Sequence, residues 1–274
     1  MTVRFHIPFV ACLASFLGGA PRLSAQFDLY VAHVADGAGY FSQVSVYNPG
    51  SSAVTCTFTT FDDQGNLLDL VYASDPGAAA AFRRKHSGAK PAATAPESSV
   101  SIPVPAGGTT QVETSGDGKG NVLQGAAELN CSAFVIGGVT YWYTVGGDLV
   151  TGIGVPAANT TTEFRVDGGN EHTAFAIYNP SQANILNLNV EAYDDTGENQ
   201  FGPVDLEIDP NGHYAFNANT VLTTLPSGFY GSFQLTTNGQ QFVPLALGVA
   251  TTAGNAGGFL LYTIASFSGV VVGL

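Results

Sequence analysis

Basic residues are scarce. The 274-residue chain carries 8 Lys and Arg against 21 Asp and Glu, a formal net charge of −13. Contact with a phosphate backbone or an anionic lipid surface needs clustered cations, so neither nucleic acid nor anionic membrane is an expected partner. Half of the cations present are concentrated in one place, at Arg83, Arg84, Lys85 and Lys90, and none follows Arg165.

Long apolar runs are missing as well. The strongest, over residues 7–17, falls short of the roughly 20 residues a spanning helix needs and is interrupted by Pro8, so no membrane span is expected. With Arg4 before it and Leu23-Ser24-Ala25 ahead of Gln26, segment 1–25 reads instead as a signal peptide. The expected location is secreted, extracellular or periplasmic, with cell-surface association. The apolar end at residues 270–274 is too short to anchor and is expected to form a last strand.

Cysteine is limited to three residues, and Cys12 leaves with the signal peptide. In an oxidising compartment the remaining pair, Cys56 and Cys131, is expected to form a disulfide. Two residues do not make a structural zinc site.

Catalytic signatures are also lacking. There is no His-Glu-x-x-His and no Gly-x-Ser-x-Gly, and Gly137-Gly138 and Gly257-Gly258 lack the strand-to-helix setting of a phosphate loop. His33, His172 and His213, with His86, sit in no ligand spacing, and solvent-facing positions are expected for them.

What the chain does contain is a phrase written twice. Val44-Ser45-Val46-Tyr47-Asn48-Pro49 returns as Phe175-Ala176-Ile177-Tyr178-Asn179-Pro180. Each copy leads through an alternating run to an acidic turn, Asp62-Asp63-Gln64-Gly65 and Asp194-Asp195-Thr196-Gly197. The correspondence continues from Val100-Ser101-Ile102 to Val204-Asp205-Leu206, from Gly125-Ala126-Ala127 to Gly231-Ser232-Phe233, and from Phe134-Val135-Ile136 to Phe242-Val243-Pro244. A repeat of this length marks a duplicated fold unit.

Period-two apolar residues (Val54, Cys56, Phe58; Leu186, Leu188, Val190) predict strands with one buried face. The Tyr-Asn-Pro step ends the strand before each of them, and glycine at the acidic turn supplies a positive φ for a hairpin. Many short strands per unit predict an all-β fold of two tandem sandwiches arising from internal duplication. The expected units are 26–158 and 159–274, with an insertion at about 71–98 in the first.

The paired Asn-Pro, Asp-x-x-Gly and Pro-x-Gly signposts resemble those of bacterial secreted and surface modules with an immunoglobulin-like sandwich. The resemblance implies holding, spacing or binding rather than catalysis. It also implies that a Cys56–Cys131 link, joining the second strand of the first unit to a late one, acts as the bridge between the two sheets.

Two clusters remain as candidate sites. Asp194, Asp195 and Glu198 share a hairpin and Asp209 closes the adjoining acidic strand; crowded carboxylates without a cation suit Ca²⁺, while the competing reading is a solvated hairpin tip. Tyr141-Trp142-Tyr143 holds the sole tryptophan. Alternation puts Trp142 on one face and both tyrosines on the other, so one side is core and the other a platform for a glycan or a protein.

The leading expectation is a non-catalytic structural or interaction protein, self-associating or bound to a surface partner in an extracellular assembly. The alternatives are carbohydrate binding at the aromatic run and a hydrolase using the acidic cluster.

Overall fold

The computed structural model describes residues 26–73, 93–116, 121–145, 148–251 and 259–263. Segment 1–25, the basic run with His86, Gly146-Gly147, Gly257 and residues 270–274 lie outside the described residues.

The architecture is almost entirely antiparallel sheet. The first half of the chain forms β1 (Phe27–Asp36), β2 (Tyr40–Tyr47), β3 (Val54–Phe61), β4 (Leu70–Ala73), β5 (Ala93–Glu97), β6 (Ser99–Val104), β7 (Thr109–Glu113), β8 (Leu123–Cys131), β9 (Ile136–Val145) and β10 (Asp148–Pro156). These pair as two four-stranded sheets, β1-β8-β3-β6 and β10-β9-β2-β7, with β4-β5 as a separate ribbon. That ribbon joins the two ends of the insertion.

The second half forms β11 (Glu163–Gly169), β12 (Thr173–Tyr178), β13 (Leu186–Asp194), β14 (Gln200–Ile208), β15 (His213–Asn217), the short helix α1 (Ala218–Val221), β16 (Tyr230–Thr237), β17 (Val243–Thr251) and β18 (Phe259–Thr263). Its sheets run β11-β16-β13-β14 and β15-β12-β17-β18. Strand for strand this is the first order again without β4 and β5.

Side-chain alternation explains each layer. Along β3 every second residue from Val54 is buried while Thr55 and Thr57 face water, and β13 does the same from Leu186. Val44 and Val46 of β2 meet Phe58 of β3 and Leu129 of β8 in one core, and Phe175 and Ile177 of β12 meet Leu188, Phe233 and Leu235 in the other.

The repeated Asn has a structural task. Asn48 is fully buried, donates through Nδ2 to the carbonyls of Ser52 (2.7 Å), Val104 and Pro105, and accepts from Gly50 N through Oδ1. Asn179 makes the same set with Asn184, Ile208, Asp209 and Ser181 N. One buried side chain thereby ties the carbonyls of two turns to the end of a neighbouring strand.

Two sequence expectations need correction. Cys56 and Cys131 are bonded, but they are directly opposed in register on neighbouring strands, with Cα atoms 4.0 Å apart. The disulfide therefore staples β3 to β8 within one sheet instead of bridging two, because β1 precedes the first repeated phrase and makes the Cys56 strand the third. The alignment of Phe134 with Phe242 also slips by one: Tyr47 pairs with Ile136 and Tyr178 with Val243, so buried Val135 is the counterpart of buried Phe242.

The halves meet along the outer face of β15-β12-β17. Ala176, Tyr178, Val243 and Leu245 join the first core cluster, and the Tyr178 ring lies 6.0 Å from Tyr30 and 6.1 Å from Phe61. Both acidic hairpins place their glycine at positive φ, Gly65 at +79° and Gly197 at +74°. Around Gly197 there is open space, whereas a Cβ on Gly65 would fall 1.9 Å from the Pro210 carbonyl oxygen. The first hairpin thus serves a second purpose, as a contact with the other half.

Candidate functional site at the joint

His33 owes its place to a β-bulge. β1 pairs with β8 through Val31↔Ala127 and then Val34↔Gly125, so Ala32 and His33 together oppose Ala126. The equivalent stretch of β11 runs along β16 without interruption through Val166, Asp167 and Gly168. An extra residue of this kind re-aims a side chain, here toward the second half.

There His33 Nδ1 lies 3.0 Å from His213 Nε2, and His213 Nδ1 lies 2.7 Å from Asp63 Oδ1. His213 opens β15 opposite Tyr178 and is fully buried; Asp63 belongs to the acidic hairpin of the first half and also accepts from Gln124 Nε2 at 3.4 Å. The hydroxyl of Tyr141 donates to the His33 carbonyl.

The chain of bonds assigns its own protons. An ionised carboxylate only accepts, so His213 carries a hydrogen on Nδ1, and in its neutral form it presents a bare Nε2. His33 must then donate from Nδ1, which leaves its Nε2 as a lone pair. That nitrogen has no hydrogen-bond partner among the described residues. Electrostatics favours the same arrangement: burial, and then neighbouring His213, push the His33 imidazole down to about 3 against the opposing pull of Asp63. The hydrogen bond from His213 holds the Asp63 carboxyl below its usual range.

His33 also lines a cleft of about 410 Å³ between the halves. The first half contributes Tyr40 and Gln124, and the second Ala174, Ala215 and Leu247 from the outer face of its sheet. The cleft is what remains of that face where the first half does not reach it.

No family model and no curated protein matches this chain. The site is therefore read from its own geometry.

The aromatic run does not form one platform. Tyr141 is core, held by its bond to His33, while Trp142 is half-buried on the opposite face, stacked on Phe41 at 6.3 Å and packed over Gly152. Tyr143 is half-buried against Tyr40, with ring centres 4.5 Å apart.

The acidic set does not converge either. Asp194 and Asp209 lie at opposite ends of the nine-residue β14, and among the described residues no group of three or more His, Cys, Asp or Glu could hold a metal. Asp194 is spent on its own turn: Oδ1 accepts from Thr196 Oγ1, Glu198 N and Asn199 N, and Oδ2 accepts from the Asn199 amide. These bonds, that from Asn199 foremost, bring its carboxyl down to about 2. Asp195 and Glu198 sit on the same exposed tip, Glu198 N donating to Asp194 and Thr196.

Sequence reasoning passed over the residues that do meet. A solvent-facing position is the expectation for His213, and its counterpart Thr109 is exposed, yet the second half buries the β15 edge in the joint. The available signal was the mismatch itself: His33 and His213 both stand where the two copies disagree.

Proposed function

We propose that this chain is a secreted, non-catalytic interaction protein whose two halves are immunoglobulin-like sandwiches held as a rigid pair. Pairing of β2 with β7 and of β3 with β8 supports that kinship, since an immunoglobulin domain likewise places its second and fifth strands in one sheet and its third and sixth in the other. The placing of β1 beside β8, of β6 beside β3 and of β9 beside β2 departs from that order.

One observation carries the interaction reading. Tyr178 and Val243 are wholly buried at the joint, while their counterparts Tyr47 and Ile136 are 41% and 55% exposed and paired across strands. Phe134, 57% exposed and edge-on to Phe27 at 5.0 Å, extends the patch. An apolar pair that makes a protein contact in one copy and is open in the other is a contact surface, and a second copy of the chain is the proposed occupant.

Sedimentation velocity on the mature chain across a wide concentration range tests this. Reversible association is expected, weakened at least tenfold by Ile136→Lys with Tyr47→Ser. A wild-type protein that stays monomeric at every concentration would overturn the reading.

A further inference from the structure

We propose that the cleft at the joint binds a compact apolar molecule carrying one O–H or N–H donor, seated on Ala174, Ala215 and Leu247 with its donor directed to His33 Nε2. Three observations lead there independently. The volume, about 410 Å³, is that of a small-molecule site.

The second observation is a control written into the chain. Pairing registers make Gln43, Gln111 and Thr140 of the first half the counterparts of Ala174, Ala215 and Leu247. Where the first half keeps this sheet face polar, the second keeps it apolar, and it does so on residues the first half leaves only partly covered. Packing between the halves accounts for Ala176, Tyr178 and Leu245 and for part of Ala215 and Leu247, which border the same core cluster; the surface those two and Ala174 keep open is the apolar wall of the cleft. Apolar surface held beside a few polar groups, here His33 with Tyr40, Gln124 and Asn217, is the usual composition of a ligand site.

The third observation selects the ligand's polar group. Asp63 dictates the tautomer of His213, and His213 dictates that of His33, so the cleft meets an imidazole that accepts and does not donate. An anion or a bare carbonyl gains nothing from that nitrogen. A phenolic or indolic hydrogen does, and the ring behind it suits the alanine and leucine wall. Tyr141 and the Asp63–His213 pair act as positioning residues, since each orients His33 from outside the cleft.

The inference rests on reading the chain as a binding protein. The test uses 4-methylphenol and its donor-free counterpart 4-methylanisole, titrated into the ¹⁵N-labelled mature chain at neutral pH with the histidine ring nitrogens observed by long-range ¹H–¹⁵N spectra. Saturable movement of His33 Nε2 with 4-methylphenol is expected, with His172 unmoved and the anisole about 2- to 10-fold weaker. His33→Phe, with folding checked by circular dichroism and melting, should erase the difference between the two compounds while still binding both. Equal binding of the two by the wild type, or a His33 signal that does not move, would overturn the proposal. Recovery of 4-methylphenol chemically unchanged keeps the non-catalytic reading even then; its conversion would sink that reading and leave cleft occupancy standing.

Discussion

The same sheet face appears twice in this protein, with opposite chemistry. On β15-β12-β17 it presents Ala174, Ala176, Tyr178, Val243 and Leu245, most of them buried against the first half; on β7-β2-β9 it presents Gln43, Ser45, Gln111 and Thr140, with Tyr47 and Ile136 as its apolar remainder. The opposite side of the joint is just as one-sided. Tyr30 and Phe61, which receive Tyr178, have Arg165 and Tyr193 as counterparts in the second half, where Arg165 pairs with Glu163 and Tyr193 with Glu191. A duplication that kept both faces apolar would repeat the joint from chain to chain into an open filament. Polar substitution of one copy of each face confines the large contact to the interior of the molecule, and any further association is left to the smaller Tyr47, Phe134 and Ile136 patch.

The largest test of the difference between halves is covalent. Cys56–Cys131 closes a 75-residue separation in the first half, where the second has the opposed pair Leu188 and Thr237. Replacing both cysteines with alanine should destabilise the first half by about 4 kcal/mol on the chain-entropy account and leave the intrinsic stability of the second unchanged. Urea unfolding followed by hydrogen exchange in each half would reveal it, and equal losses in both would refute a difference in how the halves are held.

Matched substitutions come next. Tyr178→Ala should cost about 3 kcal/mol, because it empties a filled site at the joint. Tyr47→Ala, at the equivalent exposed position, should stay within about 0.5 kcal/mol in dilute monomer. Similar costs at the two positions in chemical denaturation would mean the faces are energetically alike.

The smallest expected effect is a pH dependence of the joint. The folded protein holds His33 near 3 where the free side chain titrates at 6.5, so between those values the unfolded chain binds a proton that the folded one refuses. Stability is therefore complete above about pH 6.5 and declines as pH falls toward 3. Asp63 adds to the loss at the acid end, since its carboxyl is held below the ordinary 3.8 and its contribution disappears as it protonates. A total of about 2 kcal/mol is expected, less than the full shift of His33 implies because that residue is only partly buried. Melting curves from pH 7 to 4 should lose most of this slope in His33→Phe.

Much of the fold was legible in the residues. Turn chemistry is local, so the Tyr-Asn-Pro phrases and the Asp-x-x-Gly hairpins announced themselves, and period two marked the buried faces of β3 and β13. The opposed pair Leu188 and Thr237 stands where the first half has Cys56 and Cys131, because strand registers repeat from half to half. The first strand was not legible, and missing it turned an in-sheet disulfide into an expected bridge between sheets. The candidate site was the least legible part. His33 depends on a bulge that shifts one residue, and Asp63 meets His213 across a sequence separation of 150.

The sequence alone determined the all-β class, the duplication, the disulfide partners and the acidic character, because each follows from composition, from short-range periodicity or from the count of cysteines. Only the tertiary structure decided which copy of a repeated face is covered and which histidine is buried. It also decided that Asp194 and Asp209 stand apart while Asp63, His213 and His33 come together. Those outcomes depend on how one half lies against the other, and that packing is set by long-range contacts that no local pattern encodes.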